Sequence, residues 1–529
     1  MVQVERPEGG TAPPTRTPPD RGWSLDLTAS GRVGAALTAV LVVSLLAPAA
    51  TLASGYDPAT DVNSMYNTTA YTGATAWWNA GFTGAGVDIA LIDTGVSRVE
   101  GLATAGKIVY GPDLSFESQN PDLRNLDTNG HGTFMAGIIA GKDSDLTGPY
   151  ADAPASAFRG VAPDARIVSV KVGVADGGTD VSQVIAAIDW VVQHKNDNDL
   201  NIRVINLAYG TDSSQDYEID PLAFAVEQAW KAGIFVVAAT GNEGYVFKTG
   251  SLTNPANDPR IFAVGASKSM GTMTVADDMV AAFSSTGSNV RYVDVVAPGA
   301  HIVSLRVPGS YIDQHAGSTG YVSDRFFRGS GTSEAAAFVS GAAALEIQRR
   351  PTITPDRLKK EFLESATGLL GFSARQQGQG EVDMRKLLAQ DIQNPPNSWS
   401  KIAWSTGTGS LEASRGTDHL TSDGVVLAGK QDIFGHAFDS AAMAALEAQG
   451  NSWSGGTWNG NSWSGSSWSG NSWSGSSWSG SSWSGSSWSG SSWSGNSWSG
   501  SSWSGSSWSG SSWSGHSWSG NSWSTGSWS

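Results

Sequence analysis

Short apolar runs alternate along residues 87–366 with stretches in which apolar positions recur every three to four residues. The runs have the length of buried strands, and the periodic stretches have the spacing of amphipathic helices. The predicted strands lie at residues 87–92, 165–172, 202–208, 234–239 and 261–264, and the predicted helices at residues 181–194, 221–231 and 355–366. Strands that alternate with helices indicate right-handed crossovers between parallel strands. We therefore predict an α/β fold with a mostly parallel, doubly wound sheet and helices on both faces.

The last part of the chain has a different pattern. Residues 451–529 repeat Ser-Trp-Ser-Gly-Ser or Ser-Trp-Ser-Gly-Asn, with a tryptophan every five residues from Trp453 to Trp528. This low-complexity tail has no other large apolar residue, so it cannot build an ordinary core. Two interpretations stay open: a flexible linker, or a multivalent segment whose indole faces stack on cell-wall polymer or other polysaccharide. A stacked repeat fold is a third.

Composition narrows the function classes. The formal net charge is -16 and no long basic run is present, which argues against a nucleic-acid partner. The chain has no cysteine, which excludes disulfides, thiolate metal sites and a cysteine nucleophile.

An apolar run at residues 33–50 follows a segment rich in Pro, Gly and Arg. The run ends in small residues, and Ala47-Pro48-Ala49 suits a signal-peptidase site. This pattern predicts a signal peptide and a secreted or cell-surface protein. An uncleaved membrane anchor is the alternative, because the run is near the lower length limit for spanning a bilayer.

Four residues stand where open α/β sheets keep their chemistry, at strand ends and helix starts. Asp93 ends the first predicted strand, and Asn242 lies on a glycine turn after another. His131 begins an apolar helix between two glycines that leave room around the imidazole, and Ser333 begins an Ala-rich helix after a predicted tight turn at residues 329–332. Each alone has an ordinary structural explanation as a turn, cap or loop residue.

Together, these residues and their neighbours resemble the subtilisin-like serine peptidases, or subtilases, over about residues 80–350. The matching stretches are Leu-Ile-Asp-Thr-Gly at 91–95, Gly-His-Gly-Thr at 130–133, Val-Ile-Asn-Leu-Ala-Tyr-Gly at 204–210, residues 238–244, and Gly-Thr-Ser at 331–333. The order Asp, His, Ser is that of the family, and no Gly-x-Ser-x-Gly elbow surrounds Ser333. The resemblance implies that Ser333 is the nucleophile, His131 the general base, Asp93 its orienting carboxylate and Asn242 an oxyanion donor.

The resemblance also implies how substrate binds. A polypeptide would lie extended between two backbone segments, at residues 176–178 and 208–210. The implied substrate-binding residues are Gly177, Gly178, Ala208, Tyr209 and Gly210. No cofactor is required for this chemistry; structural calcium is compatible with the family, but the acids give no loop pattern that assigns a metal ligand. The sequence gives no indication of oligomeric state.

One position departs from the family. Ser333 is followed by Glu334, where subtilisins typically carry methionine. A carboxylate beside the nucleophile would oppose the developing oxyanion, so we predict lower activity than in a Glu334→Gln variant.

The predicted organisation has four parts: an N-terminal extension with signal peptide or anchor at 1–53, a subtilisin-like peptidase domain at 56–390, a linker or small accessory segment at 391–450, and the repeat tail at 451–529. The predicted function is that of a secreted serine endopeptidase. The alternative is a non-catalytic or weakly active surface adhesion protein that binds through the tail, and an esterase or acyltransferase is a third hypothesis. Because Asp93, His131, Ser333 and Asn242 are all present, the sequence favours the peptidase.

Overall fold

The protein is described by a computed structural model. The residues it describes are 55–120, 122–244, 252–391, 394–417, 419–422, 425–432 and 437–448, with six short strands farther along the chain. The predicted export segment within residues 1–53 and most of the repeat tail lie outside the described residues.

The strands of the described regions are β1 (Asp88–Asp93), β2 (Ile108–Asp113), β3 (Arg166–Lys171), β4 (Ile202–Leu207), β5 (Phe235–Ala239), β6 (Phe262–Lys268), β7 (Met279–Val280), β8 (Val295–Pro298), β9 (Ile302–Leu305), β10 (Phe326–Gly331), β11 (His419–Ser422) and β12 (Val425–Val426). The six farther strands are β13 (Thr457–Trp458), β14 (Asn461–Ser462), β15 (Ser477–Ser479), β16 (Ser482–Ser484), β17 (Ser517–Ser519) and β18 (Thr525–Ser527). Of these, β17 pairs with β11 and β18 pairs with β10.

The helices are α1 (Met65–Thr72), α2 (Ala74–Asn79), α3 (His131–Ala140), α4 (Val181–His194), α5 (Pro221–Lys231), α6 (Tyr311–Gly320), α7 (Thr332–Arg349), α8 (Pro355–Ser365), α9 (Ala374–Gln377), α10 (Met384–Ala389), α11 (Leu411–Arg415) and α12 (Ser440–Ala448). Helices α4 and α5 have the bounds predicted from apolar spacing. Both starts are capped, because Asp180 accepts from Ser182 N, and Asp220 accepts from Leu222 N before a proline at the first helical position.

The central sheet has the order β2-β3-β1-β4-β5-β6-β7, with β8 also paired to β6. Strand β1 runs parallel to both neighbours, and β4, β5, β6 and β8 continue the parallel pairing. Strand β7 is antiparallel to β6. Helices α3 and α7 pack together, as do α4 and α5. The predicted α/β class with a mostly parallel sheet is confirmed, and the carboxyl ends of β1 and β4 lie side by side.

The predicted tight turn before Ser333 is wrong. Residues 329–331 belong to β10, which pairs antiparallel with β9, and Gly331 has an extended backbone with φ -179°. The chain passes from this strand into α7 without a turn. Glycines in a strand carry no alternation of apolar side chains, so no hydrophobic pattern indicates this strand.

Candidate active site

The structure brings Asp93 and His131 together, as the sequence predicts. Asp93 is the last residue of β1, and His131 is the first residue of α3. The distance from His131 Nδ1 to Asp93 Oδ1 is 2.7 Å, and the two side chains are 2% and 1% exposed. Because Nδ1 faces a carboxylate, it carries the proton, and the neutral imidazole presents Nε2 as an acceptor.

A second carboxylate, Asp127, holds this pair in place and was missed in the sequence. It accepts a hydrogen bond from Thr94 Oγ1 at 2.8 Å, next to Asp93. It also accepts from the backbone N–H groups of Gly130 and Thr133, both at 2.7 Å, at the start of α3. Asp127 therefore links the end of β1 to the helix that carries His131. An acid a few residues before a predicted helix is the signal that could have found it.

The glycines beside His131 allow close backbone contacts and a backbone conformation that other residues rarely adopt. A Cβ on Gly132 would lie 2.1 Å from Gly95 O and 3.1 Å from Asp93 Oδ1. Gly130 has φ +105°, which side chains rarely adopt. The room predicted around the imidazole is therefore used by the turn after β1, which approaches close enough to let Asp93 reach His131.

Asn242 and Ser333 form the second group, and Thr332 links them. Asn242 Oδ1 accepts from Thr332 N at 3.0 Å, and Thr332 Oγ1 accepts from Gly241 N at 3.1 Å. These bonds turn Nδ2 of Asn242 away from Thr332, and this buried amide nitrogen has no hydrogen-bond partner among the described residues. Ser333 is buried in the first turn of α7, with Oγ 3.5 Å from Ala208 O. An unpaired donor thus stands beside the serine.

Glu334 connects the two groups electrostatically. It is fully buried, and neither carboxylate oxygen has a hydrogen-bond partner on another residue within the described regions. Burial raises the pKa of Glu334 to about 8, against the opposing effect of His131 and with a further increase from Asp93. The start of α7 is therefore close enough to the Asp93–His131 pair for their charges to act on it.

The pKa of His131 is also shifted. Burial lowers it, but the charge and hydrogen bond of Asp93, together with the charges of Glu334 and Asp127, raise it, and the net pKa is above its ordinary value. An imidazole that is readily protonated suits a group that accepts a proton during a reaction and returns it.

The predicted substrate-binding residues lie along two buried backbone stretches. Gly177 has φ +88° and donates from N to Val174 O at 2.9 Å, while Gly178 O accepts from Val174 N at 3.2 Å. Residues 208–210 continue from the end of β4. Tyr209 is 1% exposed and its side chain belongs to the core.

The described residues include no group of three or more His, Cys, Asp or Glu side chains placed to hold a metal ion. In the same parts of the chain, none of the helices has both the length and the apolar character needed to cross a lipid bilayer.

The sequence profile of the Subtilase family matches residues 84–382, which include Asp93, His131, Asn242 and Ser333. The chain belongs to the subtilase family. This subtilase is 38% identical to serine protease AprX of Bacillus subtilis (strain 168) over 291 residues, 54% of this chain and 62% of that protein. It is 31% identical to the minor extracellular protease Epr of the same organism over 301 residues, 57% of this chain and 38% of that protein.

A third relative is covered more fully. Subtilisin DY of Bacillus licheniformis is 32% identical over 289 residues, 55% of this chain and 86% of that protein. Among solved structures, a cold adapted subtilisin-like serine proteinase matches with a TM-score of 0.40 and 29% identity, over 54% of this chain and 84% of that one. The subtilase match ends at residue 382.

Proposed function

We propose that this chain is a serine endopeptidase that hydrolyses peptide bonds through an acyl-enzyme on Ser333. The Ser333 hydroxyl attacks the scissile carbonyl as His131 Nε2 takes its proton, and Asp93 stabilises the imidazolium that forms. Asn242 Nδ2 and the backbone N–H of Ser333 hold the oxyanion. His131 then returns the proton to the leaving amine, and water releases the acyl group by the same steps in reverse.

The observation that carries the proposal is the unpaired amide of Asn242. Thr332 holds its oxygen, and its buried Nδ2 has no partner in the described parts of the chain. A buried donor without a partner costs about 1–3 kcal/mol. A donor that binds the negatively charged oxygen formed during the reaction must have no other partner beforehand. This requirement explains an unpaired amide beside Ser333.

Labelling with a fluorophosphonate tests the proposal, because it reacts with serines activated as nucleophiles. We expect one modified peptide, carrying the label on Ser333, and no label in a His131→Ala variant. Ser340→Ala is the control, since Ser340 is also buried in α7 but donates to Asn206 at 2.9 Å. Label that persists without His131, or a native chain that takes none, would refute the proposed peptidase.

We also propose polypeptide substrates and export. Family membership and the names of the relatives, one of them extracellular, support both. The apolar run at residues 33–50 supports a signal peptide, with an uncleaved anchor as the alternative. Contact with cell-wall polymer through the tryptophan repeat remains a prediction, as does structural calcium.

Glu334→Gln is expected to raise kcat/KM by about tenfold well above pH 8 and to leave it unchanged well below pH 8. The reason is that burial raises the pKa of Glu334 to about 8, so the carboxyl is neutral below that pH and charged above it. Only the charged form opposes the oxyanion. A pH profile of kcat/KM for both proteins is the measurement, and a variant no faster at any pH from mildly acidic to alkaline contradicts the prediction.

Glu334→Gln also changes the stability of the fold, because the pKa of Glu334 differs between the folded and the unfolded state. The folded pKa of Glu334, about 8, is above the unfolded value of 4.5, so the folded state binds more protons between these values. The wild type therefore loses stability as pH rises through this window, and Glu334→Gln gains up to roughly 5 kcal/mol relative to it. Urea unfolding in a Ser333→Ala background measures this difference without self-cleavage.

A further inference from the structure

A segment beyond the family domain returns to the substrate-binding region. We call the described residues 405–417, 419–422 and 425–432 the returning segment; in it, Ser405 N donates to Glu227 Oε2 at 2.7 Å and Gly409 N donates to Ile219 O at 2.6 Å. Farther along, Ser414 O accepts from Thr211 Oγ1 at 2.7 Å. These contacts carry the segment from α5 to the stretch that follows residues 208–210.

A buried ion pair fixes the segment beside Gly177 and Gly178. The Arg415 side chain is 0% exposed, and its Nε lies 2.6 Å from Oδ2 of Asp180, which is 1% exposed. Asp180 also caps α4, which begins three residues after Gly178. The same guanidinium donates to Gly429 O at 2.8 Å and to Gln431 O at 2.5 Å. It therefore holds both ends of the intervening hairpin, β11 and β12, to the domain.

An apolar side chain of the hairpin lies against Gly178. Leu420, in β11, is 1% exposed. A Cβ added to Gly178 would lie 2.9 Å from Leu420 Cδ1 and 3.3 Å from Val174 Cγ2. The leucine methyl thus occupies the space that a side chain at position 178 would fill. Gly178 belongs to a backbone stretch that the family resemblance implies to pair with substrate.

The contacts of the segment also limit the length of the groove. The end nearest the nucleophile is Ala208, whose carbonyl oxygen lies 3.5 Å from Ser333 Oγ. Three residues farther on, Thr211 bonds to Ser414 and, through its backbone, to Asn254. At about 3.3 Å per residue, an extended peptide would meet the returning segment roughly 10 Å from the start of the groove.

We propose that the returning segment closes the far end of the substrate groove, with Leu420 filling the apolar subsite on Gly178 that would receive the fourth residue before the scissile bond. This inference rests on the proposed peptidase function. It assigns to this chain polypeptide substrates selected through about three residues on the acyl side, with little discrimination at the fourth. The specificity-determining residue comes from outside the domain that carries the nucleophile.

The experiment uses the full chain and internally quenched peptides that share three residues before the scissile bond and carry either Ala or Phe at the fourth. For the wild type, we expect a Phe/Ala ratio of kcat/KM near one. In Leu420→Ala the subsite is vacated, and the ratio rises by about tenfold, mostly through KM, as filling an apolar pocket requires. Leu411→Ala is the matched control, because Leu411 is equally buried in the same segment, and its ratio stays at the wild-type value.

Titration of Ser333 with a fluorophosphonate normalises each protein to its active fraction. An unchanged ratio in a titratable Leu420→Ala protein overturns the inference but leaves the peptidase intact, whereas a wild type without label overturns both. A second measurement needs no variant. Lengthening a substrate from three to four residues before the scissile bond changes wild-type kcat/KM less than twofold, and a tenfold gain with Phe would refute the closed groove.

Discussion

His131→Ala is expected to lower kcat about a millionfold, with KM changed far less. Removing the imidazole leaves the Ser333 hydroxyl without a proton acceptor, and the Asp93 carboxylate, 2.7 Å from Nδ1 in the wild type, loses its partner. The size is that known for loss of the serine or histidine from subtilisin, a member of the same family. Single-turnover kinetics with a peptide amide, on protein whose folding is verified by circular dichroism, measure it.

A double variant gives the sharper control. If His131 and Ser333 act as one unit, His131→Ala/Ser333→Ala is no slower than either single variant. Losses that multiply, or turnover by His131→Ala near the wild-type level, would contradict a shared role. Ser340→Ala keeps its activity in the same assay, since that hydroxyl lies farther along α7 and bonds to Asn206.

Asn242→Ala is expected to lower kcat by about a hundredfold to a thousandfold, with KM within about twofold. These values correspond to removal of one oxyanion donor, an effect established for subtilisin. The amide acts on charge that develops in the transition state, so substrate binding is largely spared. Steady-state kinetics that separate kcat from KM are the measurement.

Asn242→Asp distinguishes loss of the donor from loss of the fold. An aspartate keeps an oxygen that can accept from Thr332 N, as Oδ1 does at 3.0 Å, but it has no N–H to offer. We expect a loss at least as large as in Asn242→Ala, with thermal stability closer to wild type. A fully active Asn242→Asp protein would show that the amide nitrogen has no part in the reaction.

The sequence predicted those features that depend on local pattern. The run that ends in Asp93 is a buried strand, and the apolar spacing of residues 181–194 and 221–231 gave both helices their bounds. Helix α3 begins at His131 because Asp127 accepts from two N–H groups at its start. This carboxylate lies in a polar loop, where many acids have no such role, and it went unrecognised.

Contacts between distant parts of the chain could not be predicted from the sequence. Strand β10 depends on β9, and its glycines resemble a turn when they are considered alone. The contact between Arg415 and Asp180 joins residues 235 positions apart, and an arginine in a turn-rich stretch gives no sign that it will be buried. Leu420 belongs to the same kind of feature, because only the folded hairpin brings it to Gly178.

The returning segment follows the family domain in the chain, so it is synthesised after that domain. Ribosomes deliver a protein from its amino end, at about 5–20 residues per second. The family match ends at residue 382, and at that pace Leu420 is translated roughly 2–8 s later. Until Leu420 and its hairpin pack against Gly178, the far end of the cleft stays open, so the proposed selectivity depends on residues that are synthesised after the family domain.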